Sequence, residues 1–326
     1  MADITKDECF SGLAPQIKAF LGEAGGAKAL SISRETYQEG RRTARAMGRK
    51  MKMVAPSAGT VEDRLIPGPQ GTIGIRIYTP AGGRPLPVLV FYHGGAWVMG
   101  DLDMEEHICL SLAAETPCIV VSVDYRLAPE HPFPAGLNDC YAAFQWTAER
   151  AKSFGADPAR VALCGESAGA NLVAAVTLLS RDKGGPLAAC QILFYPVTNL
   201  ADFHTESHRR FGEGFLLSRA GMEGARSLYV ANEADWSSPY VSPLLAQDLG
   251  GLPRALVITS GCDPLRDEGE AYARRLEDAG VPVRRMRYED MVHGFLCFFP
   301  EADSARAAIR EAAETLRHAF QAPERP

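Results

Sequence analysis

No stretch of this chain stays apolar for the roughly 18 residues that a membrane-spanning helix needs, so a helical span is not expected. Positive charge is also in short supply. The 34 Lys and Arg residues stand against 40 Asp and Glu, a formal net charge of −6, which argues against nucleic acid as the main partner. The cysteines form no C-x-x-C pair. Cys9, Cys109, Cys118, Cys140, Cys164, Cys190, Cys262 and Cys297 are scattered, several of them in apolar strand-like segments. That pattern reads as buried free thiols in a reducing compartment rather than as a disulfide framework. Residues 1–26 lack a basic region leading into an apolar core, so no signal peptide is expected. Internal repeats and low-complexity tracts are missing too. These absences together predict a cytoplasmic globular protein whose partner is a small molecule.

What is present is enough apolar material, 46% of 326 residues, for a sizeable core in one large domain with an appended subdomain, or in two. Residues 1 to about 50 read as helical. Phe10, Leu13, Ile17, Phe20 and Leu21 fall on one face, and a Gly25-Gly26 break precedes a second helix. The end of that helix is basic (Arg41, Arg42, Arg45, Arg49, Lys50 and Lys52) and reads as a solvated face. Two strands, 61–66 and 72–78, follow around a Pro-Gly turn. Continuous apolar runs at 87–92, 118–124, 161–165, 190–195 and 255–260 read as buried strands, with a last strand at 283–288. Helical segments lie between them. Alternation of this kind predicts an α/β fold with a mostly parallel central sheet covered by helices on both faces. Residues 201–235 break the alternation and read as an insertion.

The chain is organised around Gly165-Glu166-Ser167-Ala168-Gly169. An apolar strand precedes this G-x-S-x-G and a helix follows it, the context of a nucleophile elbow. A serine on so sharp a turn points its hydroxyl away from both elements. The residues two before and two after it must then be very small. The helix N-terminus leaves the amide of Ala168 free to bind developing negative charge. A serine hydroxyl needs a base and a group to orient that base. On such elbows the acid and then the histidine follow in the chain. His293, in a loop after the last strand, is the expected base, and His318 lies inside the C-terminal helix. Asp263 is the favoured acid because it follows the 255–260 strand, while Asp267 and Asp290 stand as rivals. His93-Gly94-Gly95-Ala96 follows another strand and offers the amides of Gly94 and Gly95 for an oxyanion hole with Ala168. His204 and His208, at i and i+4, form the one candidate metal pair. They lack a third ligand and an H-E-x-x-H glutamate, so no metal is expected.

With His93–Trp97, Asp124-Tyr125-Arg126-Leu127-Ala128-Pro129-Glu130, the serine motif, Asp263-Pro264-Leu265-Arg266-Asp267-Glu268-Gly269 and His293-Gly294-Phe295 in hand, the chain resembles the hormone-sensitive lipase family of α/β-hydrolases, the bacterial family IV esterases. The resemblance covers most of residues 60–320. It implies carboxylic ester hydrolysis through an acyl-enzyme, without a cofactor. It also implies a helical cap, which would take residues 1–50 and the 201–235 insertion, over a catalytic domain of residues 51–326. The expected substrate is a small-molecule ester of short to medium acyl chain. Trp97, Phe211, Phe215, Leu216 and Phe295 are the expected pocket side chains. Ala96 stands where the family motif has a third glycine. Glu166 reads equally as a helix-start carboxylate and as a catalytic group. An amidase or formamidase using the same triad is the alternative. A ligand receptor without catalysis is disfavoured, because Ser167, Asp263 and His293 are all present. A homodimer is left open.

Overall fold

The computed structural model describes residues 6–23, 32–50 and 59–321. The Gly25-Gly26 break, Lys52 and the start of the expected catalytic domain lie outside the described residues, as do the side chains of Arg49 and Lys50.

The run Val88-Leu89-Val90-Phe91-Tyr92 is buried on both of its faces. A segment with no polar face has nowhere to sit but the middle of a sheet, and it becomes a central strand. Three helices precede the sheet: α1 (Lys6–Gly12), α2 (Pro15–Glu23) and α3 (Tyr37–Lys50). The hairpin strands β1 (Thr60–Gly68) and β2 (Gly71–Thr79) lead into β3 (Leu86–Tyr92), α4 (Glu106–Glu115), β4 (Ile119–Asp124) and α5 (Ala135–Arg150). Then come β5 (Ala156–Glu166), α6 (Ala168–Asp182) and β6 (Gln191–Phe194). Helices α7 (Glu206–Phe211) and α8 (Arg219–Tyr229) interrupt the alternation. It resumes with β7 (Ala255–Cys262), α9 (Arg266–Asp278) and β8 (Val283–Val292), and the chain closes with α10 (Phe295–Phe298) and α11 (Asp303–Gln321).

The strand order is β1-β2-β4-β3-β5-β6-β7-β8. Strand β2 runs antiparallel to both neighbours, and the pairs from β4 to β8 are parallel. Successive side chains on a strand point to opposite faces. The core accordingly splits in two. Val88, Val90 and Tyr92 pack with Leu137, Phe144, Val173 and Tyr272 on one face. Leu89 and Phe91 pack on the other with Ile108, Leu112 and Leu316, with Leu13 between the first two helices, and with Ile17 and Leu21 of α2. Among the described residues no helix is long and apolar enough to cross a membrane.

Three local outcomes differ from expectation. Strand β5 begins at Ala156, ahead of the predicted start at 161, because its polar first half pairs at Leu86↔Ala156 and carries no apolar signature. Arg41 and Arg45 are not simply solvated: they pair with Glu130 and Asp101. The free-thiol reading fails for one pair, since Cys9 of α1 is disulfide-bonded to Cys262 at the end of β7, with 6.0 Å between Cα atoms. The two are 253 residues apart in sequence. Only the docking of α1 against β7 and β8 brings them together.

Candidate active site

The strand order determines where the site lies. Strands β5, β6, β7 and β8 are consecutive neighbours. Ser167 follows β5, Asp263 follows β7 and His293 follows β8, so all three emerge at one carboxyl edge of the sheet. The turn that carries Ser167 is as tight as its sequence demands. Ser167 has φ 53° and ψ −118°. A Cβ on Gly165 would run into the Gly169 backbone, and one on Gly169 into the carbonyl of Tyr92. The elbow therefore forms only with glycine at both positions. Its amide donates to Phe194 at 2.9 Å, which ties the turn to β6.

The Ser167 hydroxyl lies 2.9 Å from Nε2 of His293, and Nδ1 of His293 lies 2.8 Å from Oδ2 of Asp263. Asp263 is almost fully buried, at 1% exposure. Its other oxygen accepts the amide of Leu265 at 2.9 Å. Burial opposes a charge on His293. The Asp263 carboxylate beside it, with Glu166 and Glu268 behind, outweighs that penalty and raises the imidazole pKa. A raised pKa on a histidine that touches a serine suits proton abstraction from that serine. The rival acids are occupied elsewhere. Asp267 accepts from the Ser207 amide and from Arg266. Asp290 accepts from the Ser304 hydroxyl at 2.9 Å.

His93 stacks on Tyr125 with centroids 4.2 Å apart, and its Nδ1 lies 2.8 Å from the Gly94 carbonyl. Burial lowers its pKa, so it stays neutral and holds the turn after β3. Among the described residues the amides of Gly95 and Ala96 donate to no backbone carbonyl. Ala96 takes the left-handed region at φ 55°, which explains the glycine of the family motif there. Gly94 packs against Glu166: a Cβ at this position would overlap that carboxyl.

Ser167 and His293 open into a cavity of about 90 Å³. Its walls are mainly apolar, from Ile32, Ala44, Met99, Met104, Leu216 and Met222, with Glu105, Glu166 and Cys297 at one side. Of the five side chains expected to line it, Leu216 does. Trp97 instead stacks on Tyr229 at 4.5 Å. Phe211 and Phe215 pack edge to face on each other at 5.4 Å, and Phe295 packs on Tyr195 and Tyr288. Rings of this size bury most apolar area inside the core. The cavity wall falls to flexible methionines of the β3–α4 loop and of α8, which no local spacing signals. The candidate metal pair does not assemble either. His204 is exposed and lies ahead of α7, while His208 is buried with its Nε2 3.3 Å from Glu268.

Comparison with known proteins identifies the family. A family model described as the alpha/beta hydrolase fold matches residues 89–297. The chain is 46% identical over 263 residues to the carboxylic ester hydrolase LipN of Mycobacterium tuberculosis, covering 79% of this chain and 70% of that one. It is 37% identical to an arylesterase of Saccharolobus solfataricus, covering 87% and 92%. The crystal structure of a thermostable esterase from Pseudomonas putida superposes with a TM-score of 0.90 at 36% identity, covering 96% of this chain and 99% of that one. The chain belongs to the α/β-hydrolase family and is a carboxylesterase of its hormone-sensitive lipase-like branch.

Proposed function

We propose that this carboxylesterase cleaves short- to medium-chain acyl esters through a covalent acyl-enzyme on Ser167. The observation that carries the reading is the hydrogen-bonded relay from Ser167 through His293 to Asp263, opening on a small apolar cavity. His293 Nε2 takes the serine proton as Oγ attacks the ester carbonyl. The tetrahedral oxyanion is bound by the amides of Gly95, Ala96 and Ala168. Collapse expels the alcohol, which leaves with the proton held on His293. Water then attacks the acyl-enzyme with His293 again as base, and Ser167 is restored.

The cap is part of the same proposal. Ile32 and Ala44 from the N-terminal segment and Leu216, Leu217 and Met222 from the insertion wall the cavity. Helices α1 and α2 contribute by docking: the Ala14 amide donates to the Asp290 carbonyl, and Phe20 packs against Phe299. A covered, mainly apolar site of this size favours short acyl chains. The test is kcat/KM over p-nitrophenyl esters of increasing acyl length, beside matching amides. Ser167→Ala should lose roughly 10⁴-fold or more in kcat with folding intact. An organophosphate should label Ser167. Undiminished turnover by the alanine variant, or faster cleavage of the amides, defeats the reading.

A further inference from the structure

A buried pair of carboxyl groups stands beside the nucleophile and takes no part in the scheme above. Glu166 immediately precedes Ser167, and Glu105 occupies the N-cap position of α4 without a side-chain capping bond. Both are 3% exposed. The donor atoms of Glu105, Glu166 and Cys297 lie within 4.8 Å of one another, and all three residues line the ester cavity. The Cys297 thiol donates to Glu105 at 3.2 Å. The Glu166 carboxyl lies against Gly94, and the Tyr195 hydroxyl lies 3.7 Å from the Cys297 sulfur. Gly94 is the residue before the first proposed oxyanion donor, and only a glycine leaves room there for the Glu166 carboxyl.

Two carboxylates this close and this far from water cannot both carry charge under neutral conditions. We propose that Glu105 and Glu166 share one proton, and that the pair, through Glu166, holds the Gly94-Gly95 turn in place for the oxyanion. Glu166 is then a positioning residue. Loss of the shared proton to solvent puts a second negative charge behind the amides that bind the oxyanion, and turnover falls. The inference rests on the oxyanion hole of the proposed function.

The electrostatics agree with this geometry. Burial, with the charge of Glu105 added, pushes Glu166 up to about 8. Burial pushes Glu105 up to about 7, with the Cys297 thiol pulling back and Asp101 adding to the rise. The other groups facing the pair titrate outside this window or are already accounted for. Tyr195 after β6, Tyr125 after β4 and Cys297 on α10 are all pushed well above their ordinary values by burial. His93 is held neutral by burial. His293 feels the pair directly, since charge on Glu166 supports its protonation. Ionisation of the carboxyl pair therefore also favours the protonated imidazole.

The experiment is the pH dependence of kcat for the wild type and for Glu166→Gln, Glu166→Ala and Glu105→Gln. Titration of each with an organophosphate sets the concentration of intact Ser167. The wild type should lose activity as pH rises through about 8. Glu166→Gln keeps the contact with Gly94 but cannot ionise, so its alkaline decline should vanish. Glu166→Ala removes the contact and should lower kcat by roughly tenfold or more at every pH, with KM little changed and Glu166→Gln recovering part of the loss. Glu105→Gln leaves Glu166 as the one carboxyl of the pair, so no second charge can form and its alkaline decline should vanish as well. An alkaline decline that survives unchanged in Glu166→Gln and Glu105→Gln overturns the proposal, whether or not the alanine variant folds. Failure of the esterase reading itself would show separately, as turnover by Ser167→Ala or as absence of organophosphate labelling.

Discussion

Nδ1 of His293 lies 2.8 Å from Oδ2 of Asp263, and the second oxygen of the same carboxylate is held by the Leu265 amide at 2.9 Å. The carboxylate is thus fixed from both sides, and it fixes the imidazole in turn. With Nδ1 donating to Asp263, Nε2 is left as the acceptor for the serine proton.

Asp263→Asn should lower kcat by roughly 10²–10⁴-fold, because an amide can donate to Nδ1 and so favour the wrong tautomer. Asp267→Asn and Asp290→Asn should lose far less, since their carboxylates serve Ser207 and Ser304. Steady-state kinetics on the three variants decides the matter. If Asp290→Asn is the most damaging, the acid has been misassigned.

The same contact sets the acid limb of the pH profile. Burial would lower the His293 pKa, but Asp263, then Glu166 and Glu268, raise it above its ordinary value. A general base works when neutral, so kcat/KM should rise with pH and reach half its plateau above about 6.5, the unperturbed imidazole value. Asp263→Asn removes the largest favourable charge, and its acid limb should move to lower pH. A limb that stays in place in this variant would mean that another group controls it.

The sheet and the elbow were legible because their signals are local. Continuous apolar runs such as 87–92 can only be buried strands, and Gly165 and Gly169 flank Ser167 at the spacing the turn requires. His293 and Asp263 were legible from their order after the serine and from the strands they follow. The cavity was not. Ile32, Ala44, the loop residues Met99 and Met104, and Met222 come from four segments, and none stands out in its own window. The large aromatics drew attention instead, yet Phe211 and Phe215 satisfy each other in the core. Glu105 reads in sequence as an ordinary helix-start acid, and only the fold sets it beside Glu166. The Cys9–Cys262 bond was hidden for the same reason.

Helix α3 is tied down by Arg45, which pairs with Asp101, and by a fork from Arg41. Arg41 donates to both oxygens of Glu130, at 2.8 and 2.7 Å, and to the carbonyls of Val98 and Ala128. These contacts span the loops after β3 and β4 and hold Ala44 in the cavity wall. Arg41→Met keeps the apolar stem and loses the whole fork, and a lysine could replace only part of it. Arg41→Met should raise KM by about tenfold or less, equivalent to about 1.4 kcal/mol of binding at most, with kcat nearly unchanged. Arg41→Lys should fall between. A lowered melting temperature with unaltered KM would show that α3 is packing alone and no part of a substrate-binding cap.

Met222 tests where the acyl chain lies. It projects from α8 into the cavity beside Leu216 and Leu217 and is itself 2% exposed. Leu216 sits at φ 58°, so the backbone around this wall is constrained and the flexible Met222 side chain is the adjustable part. Met222→Ala removes that side chain and lengthens the cavity, at a stability loss of about 2–5 kcal/mol if nothing fills the space. The optimum of kcat/KM over p-nitrophenyl esters should then shift to longer acyl chains, while acetate, too short to reach the wall, should change least. Met222→Phe works in the opposite sense and should discriminate against all but the shortest chains. Holding the leaving group constant confines the comparison to the acyl side. A second series with acetyl fixed and the alcohol varied should leave both variants close to wild type. If instead the alcohol series responds and the acyl series keeps its shape, Met222 walls the leaving-group side. The acyl chain would then run toward Met99 and Met104, and the same pair of series on Met104→Ala would locate it.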